Sequence, residues 1–242
     1  MISEVSFSKK FTSFWNEVLP NAKNYIRLVN SAVAIRVHPP LASSERKQNV
    51  ALVNVIAFSI YRESLRLRVS VDSIFTPSYF TSPEFEDVVK HSITYLKRFG
   101  SYQPYELPFL MSEFGQIRAI AVFLGKRYGW PNIVEVDPVF DGCGYINPCV
   151  GDIVYGSKLV EIKSGERAFS VTDLRQVLVY CMLNHYSNNR RGLDAIEIYN
   201  PRLGLLFSQN IDELADDLSA LSAIELFAEL QKFVVDNAFV EI

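Results

Sequence analysis

Apolar positions in the first hundred residues recur with a helical period. Phe11, Phe14, Trp15, Val18 and Leu19 form one stripe, the spacing of an amphipathic helix, and Pro20 ends it. Residues 21–29 resume helix, and the prolines and serines of 37–44 make a loop. A long helix is expected from about Glu45 to Arg68, apolar on most faces through its middle. Another is expected over 82–100, with Ser82 as cap, Pro83 in the first turn and Gly100 as the stop. Residues 101–108 serve as a linker.

The pattern changes after residue 110. Residues 112–127 are expected to form a helix closed by Gly129 and Pro131. The segment 133–140 is expected to be a strand, and a glycine-rich connection follows over 141–151. Residues 152–155 and 159–164 form two strands across a turn at Gly156–Lys158. Ser170 with Asp173 resembles a capping box opening a helix over 171–186. Two more strands flank residues 200–202, and Asn210 with Glu213 caps a penultimate helix. The last helix carries Leu226, Phe227, Leu230, Phe233 and Val234 on one face. Helix, three strands, helix, two strands, with apolar strands throughout, predicts an α/β (α+β) fold whose sheet is covered on both faces. The expected division is a helical region at 1–105 and a second domain at 106–242.

Composition narrows this little. Of 242 residues, 49% are hydrophobic and 21% charged, ordinary for a globular chain. No secretory leader is recognisable, and the longest apolar run, 50–61, is too short to span a bilayer. Three cysteines, an odd number, fit reduced thiols and a cytoplasmic setting. Charge is uneven. Residues 1–100 hold 13 Lys/Arg against 8 Asp/Glu, and residues 101–242 hold 11 against 19. A nucleic-acid footprint therefore belongs with the N-terminal half, unless the two halves are merely solvated surfaces of ordinary variation.

The chemistry concentrates in residues 151–165, GDIVYGSKLVEIKSG. Alternation along a strand points Glu161 and Lys163 the same way, and the hairpin turn returns Asp152 to their side. Asp152 and Glu161 offer hard oxygen ligands of the kind Mg²⁺ (or Mn²⁺) takes, with the carbonyl of Ile162 as a further donor. Lys163 is then placed to orient or deprotonate a water and to support a crowded phosphate transition state. Two buried anions side by side are costly without a cation. The plain alternative is an exposed Glu-x-Lys ion pair beside a turn.

Gly151-Asp152 followed by Glu161-Ile162-Lys163 resembles the signature of the PD-(D/E)xK nuclease superfamily, the restriction-endonuclease-like fold. Gln176 and Tyr180 on the next helix resemble the Gln-xxx-Tyr motif of its RecB-like branch. The resemblance covers about residues 112–207 and departs from the family at Gly151, where proline is usual. It implies Mg²⁺-dependent hydrolysis of DNA, with Gln176 and Tyr180 supporting the metal site and the DNA backbone. Helix geometry is compatible: Leu174, Val177, Leu178, Cys181 and Met182 make the core stripe, and Gln176 and Tyr180 share a neighbouring face. The family often adds a glutamate from the preceding helix, and Glu113 is the candidate metal ligand; Glu106, Asp137 and Asp141 are alternatives. Arg167, Arg175, Arg190 and Arg191 are the candidate DNA contacts. Arg62, Arg66 and Arg68 fit phosphate contact or, slightly better, a solvated helix face.

Other chemistries fit poorly. Cys143, Cys149, Cys181 and His185 lack the spacing of a zinc knuckle, and no cysteine after Cys181 is available for an iron–sulfur cluster. Gly142 and Gly144 open no dinucleotide or phosphate loop, so any ATP chemistry belongs to a partner ATPase. His38, His91 and His185 have no nucleophile context for a triad. The mild acidity weakens autonomous duplex binding, which implies a homodimer or a subunit of a larger complex. The family analogy points to a prokaryotic anti-phage or restriction-like system. The rival readings are a junction resolvase or transposon-end nuclease, a non-catalytic DNA- or protein-binding module of the same fold, and an interaction protein working through its N-terminal helices.

Overall fold

Alternating apolar residues on the strands and apolar stripes on the helices assemble around a mixed sheet. The computed structural model describes residues 1–98 and 104–237. Its N-terminal elements are α1 (Glu4–Lys9), α2 (Thr12–Val18), α3 (Ala22–Leu28), β1 (Ile35–Arg36), α4 (Val50–Leu67), α5 (Val71–Ile74) and α6 (Pro83–Arg98). Then come α7 (Met111–Tyr128), β2 (Val134–Val136), β3 (Val139–Phe140), β4 (Cys149–Val150), β5 (Ile153–Tyr155) and β6 (Lys158–Ile162). The chain continues through α8 (Val171–Tyr186), β7 (Ala195–Asn200), β8 (Leu205–Asn210), α9 (Ile211–Ser219) and α10 (Ala223–Asp236). The expected stop at Gly100 and the start of the 101–108 linker lie outside the described residues.

Six strands form one sheet in the order β1-β8-β7-β6-β5-β2. The β6–β7 pair is parallel, joined by the α8 crossover, and the other neighbours are antiparallel. Alternation sends Val154, Leu159, Ile196, Ile198 and Phe207 to one face, under α8, α9, α10 and the first helices. Ile153, Val160, Tyr199 and Leu206 go to the other face, under α4 and α7. The sheet is thus mixed, and helices cover both of its faces, as the apolar strands predict. Helices from both sides of residue 105 share these two apolar layers, and β1 joins the sheet edge.

Local signals explain the element ends. The Asp173 carboxylate accepts from the Ser170 N–H and hydroxyl at 2.8 and 2.9 Å, the capping box expected at α8. Asn210 caps α9 through the N–H groups of Asp212 and Glu213. Two segments differ from expectation. Phe11, at φ 55°, separates α1 from α2. The single strand expected over 133–140 breaks at Asp137, also left-handed at φ 54°. This break leaves β2 in the large sheet and puts β3 in a ribbon with β4.

A buried cation ties the layers together. Arg202, in the turn between β7 and β8, donates to the carbonyl of Ser164, the Ser44 hydroxyl, Gln116 Oε1 and Asn54 Oδ1 at 2.8–3.0 Å. All four partners are neutral, and burial pushes the Arg202 pKa down. The same turn needs Gly204, at φ 65°, because a Cβ there would sit 2.0 Å from the His38 carbonyl oxygen.

Candidate active site

The site is set by strand register. Ile153 lies opposite Val160 in the antiparallel β5–β6 pair, so Asp152 and Glu161, one step outward, project from the same face of the sheet. That face is the one covered by α8. The Ile162 N–H donates to Asp152 Oδ2 at 2.7 Å, which fixes the carboxylate at the strand end. Gly151 suits this position on two counts. Its N–H donates to the Pro138 carbonyl at 2.9 Å, a bond proline cannot make. A Cβ there would lie 3.0 Å from the Phe140 ring. Proline at position 151 would forfeit the bond to Pro138.

Lys163 leaves β6 toward α8. Its Nζ donates to Glu161 Oε1 and to Gln176 Oε1, each at 2.7 Å, and lies 3.8 Å from Asp173. Gln176 Nε2 donates to the Tyr180 hydroxyl at 3.1 Å. That hydroxyl lies 3.2 Å from the Val150 carbonyl and 3.3 Å from Glu4 Oε1. Asp152, Glu161, Lys163, Gln176 and Tyr180 therefore form one connected constellation, although the sequence spreads them over 29 positions.

The electrostatics are strained in a specific way. Burial, then the Glu161 charge, raises the Asp152 carboxyl well above its usual range. Burial also raises Glu161, with Lys163 opposing the rise. Burial works against the Lys163 ammonium, yet the charges of Glu161, Asp173 and Asp152 outweigh it and raise its pKa. Glu161 Oε2 is buried and has no hydrogen-bond partner. Such an atom is costly unless something cationic or donating meets it.

The outlying candidates divide. Glu113 sits in the first turn of α7, where it accepts from the Leu110 N–H at 2.7 Å and Asn49 Nδ2 at 2.8 Å, and lies 3.8 Å from Arg46. These contacts make it a cap and loop anchor and join it to no member of the Asp152–Glu161 pair. Glu4, which the sequence reading passed over, is the extra acid near the site. Its charge contributes to raising both Glu161 and Tyr180. Only its place in a capped first turn marked it locally: Ser3 accepts from the Ser6 N–H. Asp137 donates its N–H to the Asp152 carbonyl at 3.0 Å, and Asp141 accepts from Ser187 at 2.6 Å.

The candidate DNA arginines are mostly engaged. Arg167 makes a two-bond pair with Asp173 at 2.7 and 2.9 Å, and Arg191 does the same with Glu135 at 2.8 and 2.6 Å. Arg175 is buried, donates to the Ser8 carbonyl and lies over the Trp15 ring. Its contacts fasten α8 to the first helices and leave it no open face. Arg190 is exposed in the loop after α8.

The donor set suits a small hard cation. Among the described residues no three His, Cys, Asp or Glu side chains converge as a complete cage. Mg²⁺ sites commonly use one or two carboxylates and leave the remaining positions to water and substrate phosphate. Asp152 and Glu161, the latter with its unpartnered Oε2, fit that pattern. Among the described residues no helix is long and apolar enough to cross a membrane. No protein-family model matches the chain, and a search of curated proteins found no significant match.

Proposed function

We propose that the protein is a metal-dependent nuclease that hydrolyses DNA phosphodiester bonds, with Asp152 and Glu161 holding Mg²⁺ (or Mn²⁺). The observation that carries this reading is the buried, unpartnered Oε2 of Glu161 beside a second buried-edge carboxylate. When bound there, the cation supplies Lewis-acid polarisation of the phosphate and lowers the pKa of the attacking water. The Lys163 ammonium has three donors; two go to Glu161 and Gln176, and the third serves a phosphate oxygen or the incoming water. Its two bonds hold it as a positive charge beside the carboxylates. Gln176 and Tyr180 hold that ammonium in place. Glu4 is positioned to add negative charge at the site's edge. The chain's net charge of −3 supports delivery of DNA by a second copy or a partner subunit.

The test is cleavage of linear and supercoiled DNA by wild type and Asp152→Ala, with magnesium, manganese or chelator. Activity should require the metal and fall by roughly 10²-fold or more in the variant, the scale of a lost catalytic group. Metal-independent cleavage, or an Asp152→Ala protein as active as wild type, would overturn the reading.

A further inference from the structure

We propose that Arg62 on α4 is a phosphate-contacting residue at the mouth of this site, held in the absence of substrate by Asp137. The inference rests on the nuclease reading above and extends it to how a strand is seated.

Asp137 occupies a left-handed backbone conformation, φ 54°, uncommon for a residue with a side chain although Asp and Asn tolerate it best. That conformation ends β2 and puts the Asp137 N–H on the Asp152 carbonyl at 3.0 Å. It also directs the carboxylate to Arg62 Nη1 at 2.7 Å. One residue is thus tied by its backbone to a candidate metal ligand and by its side chain to an arginine. The guanidinium is ordered on two further sides: its carbon lies 5.6 Å from the Phe58 ring centroid, and Nη2 donates to Ser59 Oγ at 3.3 Å. Burial, then the Asp152 charge, raises the pKa of Tyr95 on α6, and Arg62 opposes the rise.

In the Arg167 pair the carboxylate, Asp173, is buried at 3% exposure; here both partners are open. The Arg62 and Asp137 side chains are 42% and 43% exposed. An exposed pair has little intrinsic strength, whereas a guanidinium binds a phosphate through two parallel bonds. A phosphodiester arriving at Asp152 can therefore displace Asp137 without leaving a buried charge behind.

The experiment has two readouts: DNA affinity against salt in calcium buffer, and cleavage kinetics in magnesium. Arg62→Ala should weaken binding and raise KM by about 10-fold, the equivalent of one charged hydrogen bond, with little change in kcat. The slope of log affinity against log salt should shrink by about 1. Arg62→Lys should keep the slope while recovering only part of the affinity. Asp137→Asn should tighten binding by removing the competing anion. Unchanged KM and salt slope in Arg62→Ala would overturn the proposal. A wild type that binds DNA but never cleaves it would remove the nuclease reading while the salt slope still decides Arg62. A wild type that binds no DNA would overturn both.

Discussion

Two glutamates on adjacent parallel strands show what distinguishes a structural charge from an available one. Glu161 on β6 and Glu197 on β7 face opposite layers and are 4% and 2% exposed. Glu197 is saturated. It receives two bonds from Arg127, both at 3.0 Å, and one from the Tyr128 hydroxyl, with Lys158 at 3.8 Å. Glu161 has Lys163 on one oxygen and nothing on the other. Burial is nearly the same for both, so accessibility alone does not separate them; the count of satisfied lone pairs does.

The contrast is sharpest in what each network tolerates. Arg127→Met leaves Glu197 buried with only the Tyr128 hydroxyl and the longer Lys158 contact. The cost should be about 3 kcal/mol, roughly 6–12 °C in Tm for a chain of this size, measured by calorimetry, with cleavage by the folded protein retained. Asp152→Asn should do the reverse. It abolishes cleavage and raises the Tm of the metal-free protein by roughly 2–4 °C, the equivalent of about 1 kcal/mol, because one of two adjacent anions is gone. Magnesium should raise the Tm of wild type and not of this variant. A metal-free Asp152→Asn protein less stable than wild type would erase the distinction between the two glutamates.

The pH dependence separates them by a smaller margin. Asp152 and Glu161 carry pKa values raised above those of the unfolded chain. Their favourable contribution is present below the unfolded carboxylate range and is lost as pH rises through the raised values. Metal-free wild type should therefore lose stability on going from acid toward neutral pH more steeply than Asp152→Asn. Glu166 runs the other way. Hydrogen bonds from Lys47 and Ser44 overcome its burial and hold it down to about 2. Its contribution is present above 4.5, its usual value, and fades as pH falls toward about 2. Denaturant midpoints across pH 3–8, wild type against Glu166→Gln, read this slope.

What the sequence disclosed was local. The α8 capping box, the β5–β6 hairpin and the shared face of Asp152, Glu161 and Lys163 follow from spacing within about twelve residues. The Gln176–Tyr180 pair follows from helix period. What stayed hidden was long range. Glu4 reaches Tyr180 across 176 positions, and β1 pairs with β8 across a gap no pattern announces. Arg175 carries the same charge as an exposed arginine, and only packing against Trp15 reveals it as interior. Asp137 was legible as an acid near a strand end, but its left-handed turn and its hold on Arg62 depend on where α4 comes to lie.

Arg202 joins the loop before α4, α4 itself, α7 and the segment after β6 through neutral oxygens alone. A junction spanning that many elements cannot fray piecemeal. Deuterium uptake at the amides of Arg202 and Leu203, both bonded to Asn200 Oδ1, should therefore proceed only when the whole fold opens, making this turn among the last places in the molecule to yield.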